Sequence, residues 1–313
     1  PSLTFLATAN AVRYTGAEVY FADVNSETGL LDTENLSHVL AKTNFESKAI
    51  IAVHLNGQCA SMGNLKECAG DIILLEDACH ALGSSEILSP EKSLKTGSCY
   101  HSHAAAFSSH AVKTIASGEG GVVTTNDDKF AKKLRLYRNH GIVRNNDGLA
   151  SNPWHYEMHS LGFNYRLTDI QCALGRSQLS KLEGFVKKRE KLRDRYSILL
   201  KKLGPYVKPI ETIGSCTPAW HLAVALIDFE KLDIQRVDVM RKLSDLGVGT
   251  QVHYIPVHKQ PYYQMRYGKF TLRGCESYYS RCLSLPLWPD MTLAEVDFVV
   301  SVLADILGVE QNF

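Results

Sequence analysis

Two stretches of the chain set chemically capable side chains at the ends of apolar runs. Residues 72–80, Ile-Ile-Leu-Leu-Glu-Asp-Ala-Cys-His, read as a strand that ends in acids, and open α/β sheets bind ligands at the carboxyl edge of their strands. A carboxylate there stays ionised only beside a cation or several donors. Asp77 therefore asks for a positively charged partner, unless it merely caps the following helix; the pattern leaves both readings open. The second stretch, AAAFSSHAVKTIASGEGG at 104–121, runs from a strand of small residues through Ser108 and Lys113 into a glycine-rich loop. An amine flanked by small and apolar groups gives up part of its proton and becomes nucleophilic enough to form a Schiff base with an aldehyde. A surface lysine is the competing reading. Ser108 and the loop amides are natural phosphate donors.

Pyridoxal 5'-phosphate needs an aldehyde trap, an anion opposite its ring nitrogen and a phosphate cradle, and the two stretches together offer one of each. A metal centre would have to draw on Asp77 with His54, His80, His101, His103 and His110, which lie near predicted strand ends. No H-E-x-x-H spacing occurs, so we expect no metal. His101 and His103, two apart on a predicted strand, would face the same side and read as surface or hydrogen-bonded groups. Gly118, Gly120 and Gly121 do not reproduce the dinucleotide-binding spacing. His253, Tyr254, Tyr262 and Tyr263 form a polar-aromatic group suited to a sugar or uracil, or else to a packed domain interface.

These residues need a scaffold, and the apolar pattern describes one. Short continuous runs at 49–53, 72–75, 104–107 and 121–125 suit strands buried on both faces by helices. Asn126-Asp127-Asp128 starts a helix through Phe130, Leu134 and Tyr137, with Gly141 as its stop. A long helical tract begins at Thr168, whose capping box closes with Gln171, and runs to Leu203. Its charged middle, KKREKLRDR, reads as a solvated connector. A strand at 222–227, a helix over 234–246 stopped by Gly247, a strand leading into QVHYIP, and a final helix capped by Thr292 and Glu295 follow. The predicted fold is α/β: a large, mainly parallel sheet domain over 1–186 and a smaller C-terminal α/β domain over 187–313.

Composition sets the outer limits. With 313 residues, 45% hydrophobic and 21% charged, the chain has ample interior for an ordinary globular fold. A net charge of +1 offers no broad footprint for nucleic acid or an anionic membrane. No apolar run approaches a membrane span, and eight scattered cysteines without a C-x-x-C pair suit reduced thiols in a cytoplasmic protein. The first residues, PSLTFLATANAV, read as an element already under way, so we expect a missing N-terminal portion.

The segments EDACHALGS, FSSHAVKTIASGEGGVVTTND, RNHGI, LGFNYRLTDIQCALGRSQL, GVGTQVHYIPVHKQPYY and LSLPLWPDMT together resemble the DegT/StrS group of nucleotide-sugar aminotransferases, fold type I enzymes that use pyridoxal phosphate. The resemblance spans nearly the whole chain. PWHYEMHSLGFNYR is most similar to the members that aminate UDP-4-keto-6-deoxy-N-acetylhexosamine in pseudaminic acid synthesis.

The resemblance implies that Lys113 carries the cofactor, that Asp77 partners its pyridine nitrogen and that His80 lies near its ring hydroxyl. It makes Phe5 the aromatic stacked on the ring and Ser108 a phosphate ligand. Asn164 would reach the phosphate of the neighbouring subunit, which implies a homodimer with shared active sites. It favours substrate contact for His253, Tyr254 and Tyr262, with Arg166 on the diphosphate because its planar fork suits phosphate oxygens. Glutamate is the implied amino donor and the C4 ketone of the nucleotide-linked sugar its acceptor.

The chain departs from the group's pattern in two places. The group carries a Ser/Gly-Thr-Ala phosphate-binding segment ahead of the point where this sequence begins, and Ser109 and Ala111 stand where an aromatic and a proline are usual, which leaves the loop around Lys113 less braced. A catalytically silent remnant acting as a partner subunit is the alternative. Dehydratase relatives carry histidine in place of the lysine, so Lys113 argues against that branch.

Overall fold

The computed structural model describes residues 1–42, 46–144 and 152–310. The chain opens with α1 (Leu6–Tyr14) and α2 (Thr33–Lys42), then continues through β1 (Ala49–Val53), α3 (Met62–Ala69) and β2 (Ile73–Asp77). A hairpin of β3 (Ser85–Ser89) and β4 (Lys92–Lys95) precedes β5 (Ala104–Ser108), β6 (Gly121–Thr124) and α4 (Asp128–Arg138). The short pair β7 (Ile142–Val143) and β8 (Glu157–Met158) leads to α5 (Asp169–Leu179) and α6 (Leu182–Lys201). The remaining elements are β9 (Val207–Pro209), β10 (Cys216–Thr217), β11 (Ala223–Ile227), α7 (Arg236–Asp245), α8 (Pro261–Tyr267), α9 (Arg273–Arg281), β12 (Cys282–Leu285) and α10 (Leu293–Leu307).

The sheet that positions the site has the order β1-β2-β5-β6. Its first three strands are parallel and β6 runs antiparallel to β5. In this register Asp77 ends the central pair opposite Val53 on one side and Ala106 on the other. The β2 strand therefore extends beyond the predicted Leu75 and takes both acids into its last two positions. Ladder bonds from the His54 amide to Asp77 O and from the Ala78 amide to Ala106 O, 3.0 and 2.8 Å, hold that strand end in place.

A second sheet, β12-β11-β9, is antiparallel and packs under α6 and α10. The β11 run AVALI is buried at every position because its two faces belong to different cores. Ala223, Ala225 and Ile227 join Leu192, Tyr196, Leu200, Val296, Val300 and Leu303, whereas Val224 and Leu226 pack with Leu3, Leu55, Trp220 and Tyr278. Two-sided burial explains the absence of polar alternation. Both predicted capping boxes form, at Thr168–Gln171 and Thr292–Glu295, and Asp127 caps α4 by accepting from the amides of Lys129 and Phe130.

Several expectations need correction. The tract from Thr168 is two helices, α5 and α6. They meet at Ser180 and Lys181, where the Lys181 amide bonds Gln178 O in a tight three-residue turn with no Gly or Pro to signal it. The charged middle of α6 is solvated at Lys187, Lys188, Glu190, Lys191 and Asp194, but Arg189 and Arg193 are buried beside Leu192. Their guanidinium groups donate to the carbonyl oxygens of His221, Leu287 and Ile210, and Arg193 lies over the Trp220 ring. No strand leads into QVHYIP; only the single Gln251–Ser284 bridge forms there. His101 and His103 precede β5 in a bend: His103 Nδ1 accepts from the Leu74 amide at 3.1 Å, and His101 Nε2 lies 3.9 Å from Glu86.

Candidate active site

Successive side chains of a strand point to opposite faces, and the two acids ending β2 illustrate it. Glu76 turns inward, where it accepts from His54 Nε2 at 2.9 Å and from the Ser102 hydroxyl. His54 Nδ1 accepts the Ala60 amide at 2.9 Å, so the ring proton sits on Nε2 and faces Glu76. Burial pushes the Glu76 carboxyl up, but the donors from His54 and Ser102 outweigh it and hold it below its ordinary value. Asp77 turns to the other face. Its Oδ2 accepts from Thr8 Oγ1 at 2.6 Å and its Oδ1 from the Cys79 amide at 3.2 Å. Because the Thr8 hydroxyl proton is committed to Asp77, Thr4 donates to Thr8 across 2.8 Å, one turn earlier in the chain.

Lys113 sits in a loop closed at its neck. The Ser117 amide bonds Ser109 O at 2.8 Å, the Ser109 amide bonds Gly120 O at 2.9 Å, and the two serine hydroxyls lie 2.7 Å apart. Gly120 has φ of +156°, and a Cβ there would meet Ser109 Oγ at 2.6 Å. Ser109 thus braces the loop with its own hydroxyl. Burial lowers the affinity of the Lys113 amine for its proton, while Cys79 and Asp77 nearby pull the other way. Ser108 ends β5 opposite Gly121, with its hydroxyl accepting from the His110 amide at 3.3 Å.

Three histidines, His80, His221 and His253, lie within electrostatic reach of this amine, and Tyr254 pairs with the first of them. His80 is 7% exposed, and its Nε2 lies 3.0 Å from the Tyr254 hydroxyl. Burial, then the nearby His221, Lys113 and His253, drive its protonation far below the ordinary histidine range. His253 is lowered to about 4 by burial and then by Lys113, and its Nδ1 pairs with Ser284 Oγ at 2.8 Å. Burial, reinforced by Asp77, raises the Tyr254 phenol. Phe5 is exposed at the edge, its ring centroid 5.9 Å from that of Tyr254. Residues from 5 to 254 thus converge on one side of the β2 end.

Three candidates lie apart from this group. Asn164 is exposed and forms a backbone bridge with Asn139, whose side chain accepts from Arg166 Nη1 at 2.7 Å. Tyr262 accepts from Arg13 Nε at 3.5 Å and borders an open cleft of about 580 Å³ with Glu18, Tyr20, Met265, Arg266 and Tyr267. Its neighbour Tyr263 is a core residue that donates to Asn10 and packs edge-on against Phe21. The polar-aromatic group read from sequence therefore splits three ways. Thr8 and His221 escaped the sequence reading, since neither stands in a motif and both reach the site only through long-range packing. Among the described residues, no three His, Cys, Asp or Glu side chains are grouped to hold a metal ion.

A family model described as the DegT/DnrJ/EryC1/StrS aminotransferase family matches residues 1–304. The spore coat polysaccharide biosynthesis protein SpsC of Bacillus subtilis is 35% identical over 312 residues, covering 97% of this chain and 77% of that protein. A UDP-4-amino-4,6-dideoxy-N-acetyl-beta-L-altrosamine transaminase of Campylobacter jejuni is 34% identical over 307 residues, covering 97% and 77%. Among solved structures, Helicobacter pylori PseC, an aminotransferase involved in pseudaminic acid biosynthesis, superposes with a TM-score of 0.88 at 29% identity, covering 98% of this chain and 78% of that one.

Proposed function

Because the chain belongs to the DegT/DnrJ/EryC1/StrS aminotransferase family, we propose that it is a pyridoxal phosphate-dependent transaminase acting on a nucleotide-linked keto-deoxy sugar. It takes an amino group, from glutamate in this reading, and delivers it to the C4 ketone. The relative named for UDP-4-amino-4,6-dideoxy-N-acetyl-beta-L-altrosamine supports a UDP-linked N-acetylhexosamine as the substrate class. The observation that carries the reading is Lys113, a half-buried amine whose proton is loosened by burial and which lies within electrostatic reach of Asp77 at a strand end.

The residues present fit the cofactor. A buried His80 Nδ1 without a partner among the described residues, beside a loosened lysine and a carboxylate at the sheet edge, is a donor set waiting for a polar ring. Lys113 would bind the aldehyde, Asp77 the ring nitrogen, His80 the ring hydroxyl and Phe5 the ring face, with Ser108 and the loop amides on the phosphate. When bound, the cofactor supplies an aldehyde for the amine and a ring that accepts an electron pair. Lys113 Nζ, its proton loosened by burial, would be the group that takes a proton from carbon and returns it to carbon. Thr8 holds the Asp77 carboxylate in one orientation, and the buried His80 and His221 would keep water from the cofactor.

The same proposal includes a homodimer in which Asn164 and Arg166 serve the neighbouring subunit, supported by their exposure and by side-chain and backbone contacts made to Asn139 rather than to the His80 group. His253 and Tyr254 contact the sugar in this reading, and Tyr262 the nucleotide through the cleft beside Arg13. It also divides the chain at 186/187, supported by a core drawn wholly from residues 192–307. A cytoplasmic location is part of it, supported by eight free cysteines; no helix among the described residues is long and apolar enough to cross a membrane.

The test is direct. Protein mixed with pyridoxal phosphate should turn yellow, borohydride should bleach it and leave the reduced adduct on Lys113 by mass spectrometry, and Lys113→Ala should do neither while keeping its melting temperature. Loaded protein supplied with glutamate and a UDP-linked 4-keto sugar should yield the 4-amino sugar. A protein that stays colourless is the silent remnant instead.

A further inference from the structure

His221 has no part in the chemistry assigned above, yet its ring centroid lies 4.4 Å from that of His80, tilted by 47°. It is 6% exposed, and its Nδ1 has no partner among the described residues. Its backbone is fixed from two directions. The His221 amide donates to Asn56 O at 2.9 Å, and its carbonyl accepts from Arg189 Nη1 at 3.2 Å. Arg189 is itself buried on α6 and also holds Leu287 O at 2.9 Å. The close approach depends on Gly57, whose φ is +98° and where a Cβ would meet Ala219 O at 2.1 Å. The segment 219–222 is thereby pressed onto the loop after β1, and the imidazole it carries is delivered to one face of His80.

We propose that His221 is a positioning residue: its ring backs the His80 ring, fixing the imidazole in the orientation that pairs Nε2 with Tyr254 and leaves Nδ1 free for the cofactor. Two features of the site agree with this. Among the described residues the His80 side chain is held by one hydrogen bond, which leaves the ring free to rotate about it unless a face is supported. Both imidazoles are kept neutral by burial and by Lys113, so the tilted rings pack at 4.4 Å without charge repulsion. The inference rests on the proposal that pyridoxal phosphate binds beside His80.

A double-mutant cycle on cofactor affinity tests it, read by absorbance titration of the full-length protein with pyridoxal phosphate. His221→Ala alone should weaken binding about fivefold or more, and the same change in a His80→Asn background should add almost nothing, because residues acting through one another are non-additive. His221→Phe, which keeps a flat ring without a basic nitrogen, should recover most of the loss. Additive losses from His221→Ala and His80→Asn, or a His221→Phe protein as weak as His221→Ala, overturn the inference. Wild-type protein that takes up no cofactor overturns the functional reading as well, so the two failures are told apart. Melting temperatures of all variants separate a folding defect: a variant that melts early is replaced by His221→Leu, for which the same non-additivity is required.

Discussion

Thr8 donates its hydroxyl proton to Asp77 across 2.6 Å, joining α1 to the end of β2 over 69 positions of sequence. A hydrogen bond to a charged acceptor contributes about 1.5 kcal/mol or more, because the alternative is a partly buried carboxylate with one donor fewer. Thr8→Val keeps the shape and removes the donor. We expect roughly a tenfold loss in cofactor affinity and in kcat/KM, with Thr8→Ser recovering most of it. Equal affinity in Thr8→Val and wild type, measured by absorbance titration, would remove Thr8 from the site.

Gly57 is the second point at which the backbone leaves no choice. Its positive φ and the 2.1 Å approach of an added Cβ to Ala219 O mean that Gly57→Ala must displace the segment leading to His221. Left-handed strain combined with a backbone clash should cost about 3 kcal/mol. Urea unfolding should show the midpoint falling with the slope unchanged. A Gly57→Ala protein that unfolds at the wild-type midpoint would mean that the approach is softer than the structure draws it.

What sequence could and could not reveal follows from the range of each contact. Asp77 and Lys113 are legible as candidates because a strand ending in an acid and a lysine before glycines are local signals, and the parallel pairing of β2 with β5 sets Asp77 and the start of the Lys113 loop at one sheet edge. The partners that tune them are not. Thr8 sits in an unremarkable helix, and His221 follows a tryptophan in a strand-like run; their roles exist only once α1 and segment 219–222 have packed onto the sheet. Arg189 and Arg193 misled for the opposite reason. A run of charges on a helix reads as solvated, but their buried guanidinium groups replace water by donating to carbonyl oxygens of the chain around them. The break between α5 and α6 left no mark, because Ser180 and Lys181 both keep helical backbone angles.

The neutral histidines make stability depend on pH. His80 and His221 are held far below, and His253 to about 4, against ordinary values of 6.5. In each case the unfolded chain takes up a proton at a pH where the native protein does not. The contribution of these three rings is therefore undiminished above pH 6.5 and declines as pH falls toward 4, by up to about 1.4 kcal/mol per pH unit for each histidine, whereas His54, which burial lowers but its bond to Glu76 raises further, acts in the opposite sense. Cofactor-free protein unfolded in urea between pH 7.5 and 5 should show this slope, and His253→Gln should reduce it by one histidine's share. A flat profile over that interval would show these rings to be solvated.

The exposed apolar side chains around Asn164 give the proposed dimer its test. Leu161 and Ile170 are 84% and 83% exposed, and α5 has no buried residue in the isolated chain. A patch of that kind marks an interface. If Asn164 serves the partner's phosphate site, a Lys113→Ala chain and an Asn164→Ala chain fail for complementary reasons, and a hybrid dimer regains one intact site. Equal mixing with free exchange makes half the dimers hybrid, each with one of two sites working, so about a quarter of wild-type activity should return. Ile170→Glu in both chains should abolish that recovery and shift the protein to monomer in light scattering. Mixtures no more active than their separate components, from chains shown to exchange, would place Asn164 in its own subunit's surface and leave each site to a single chain.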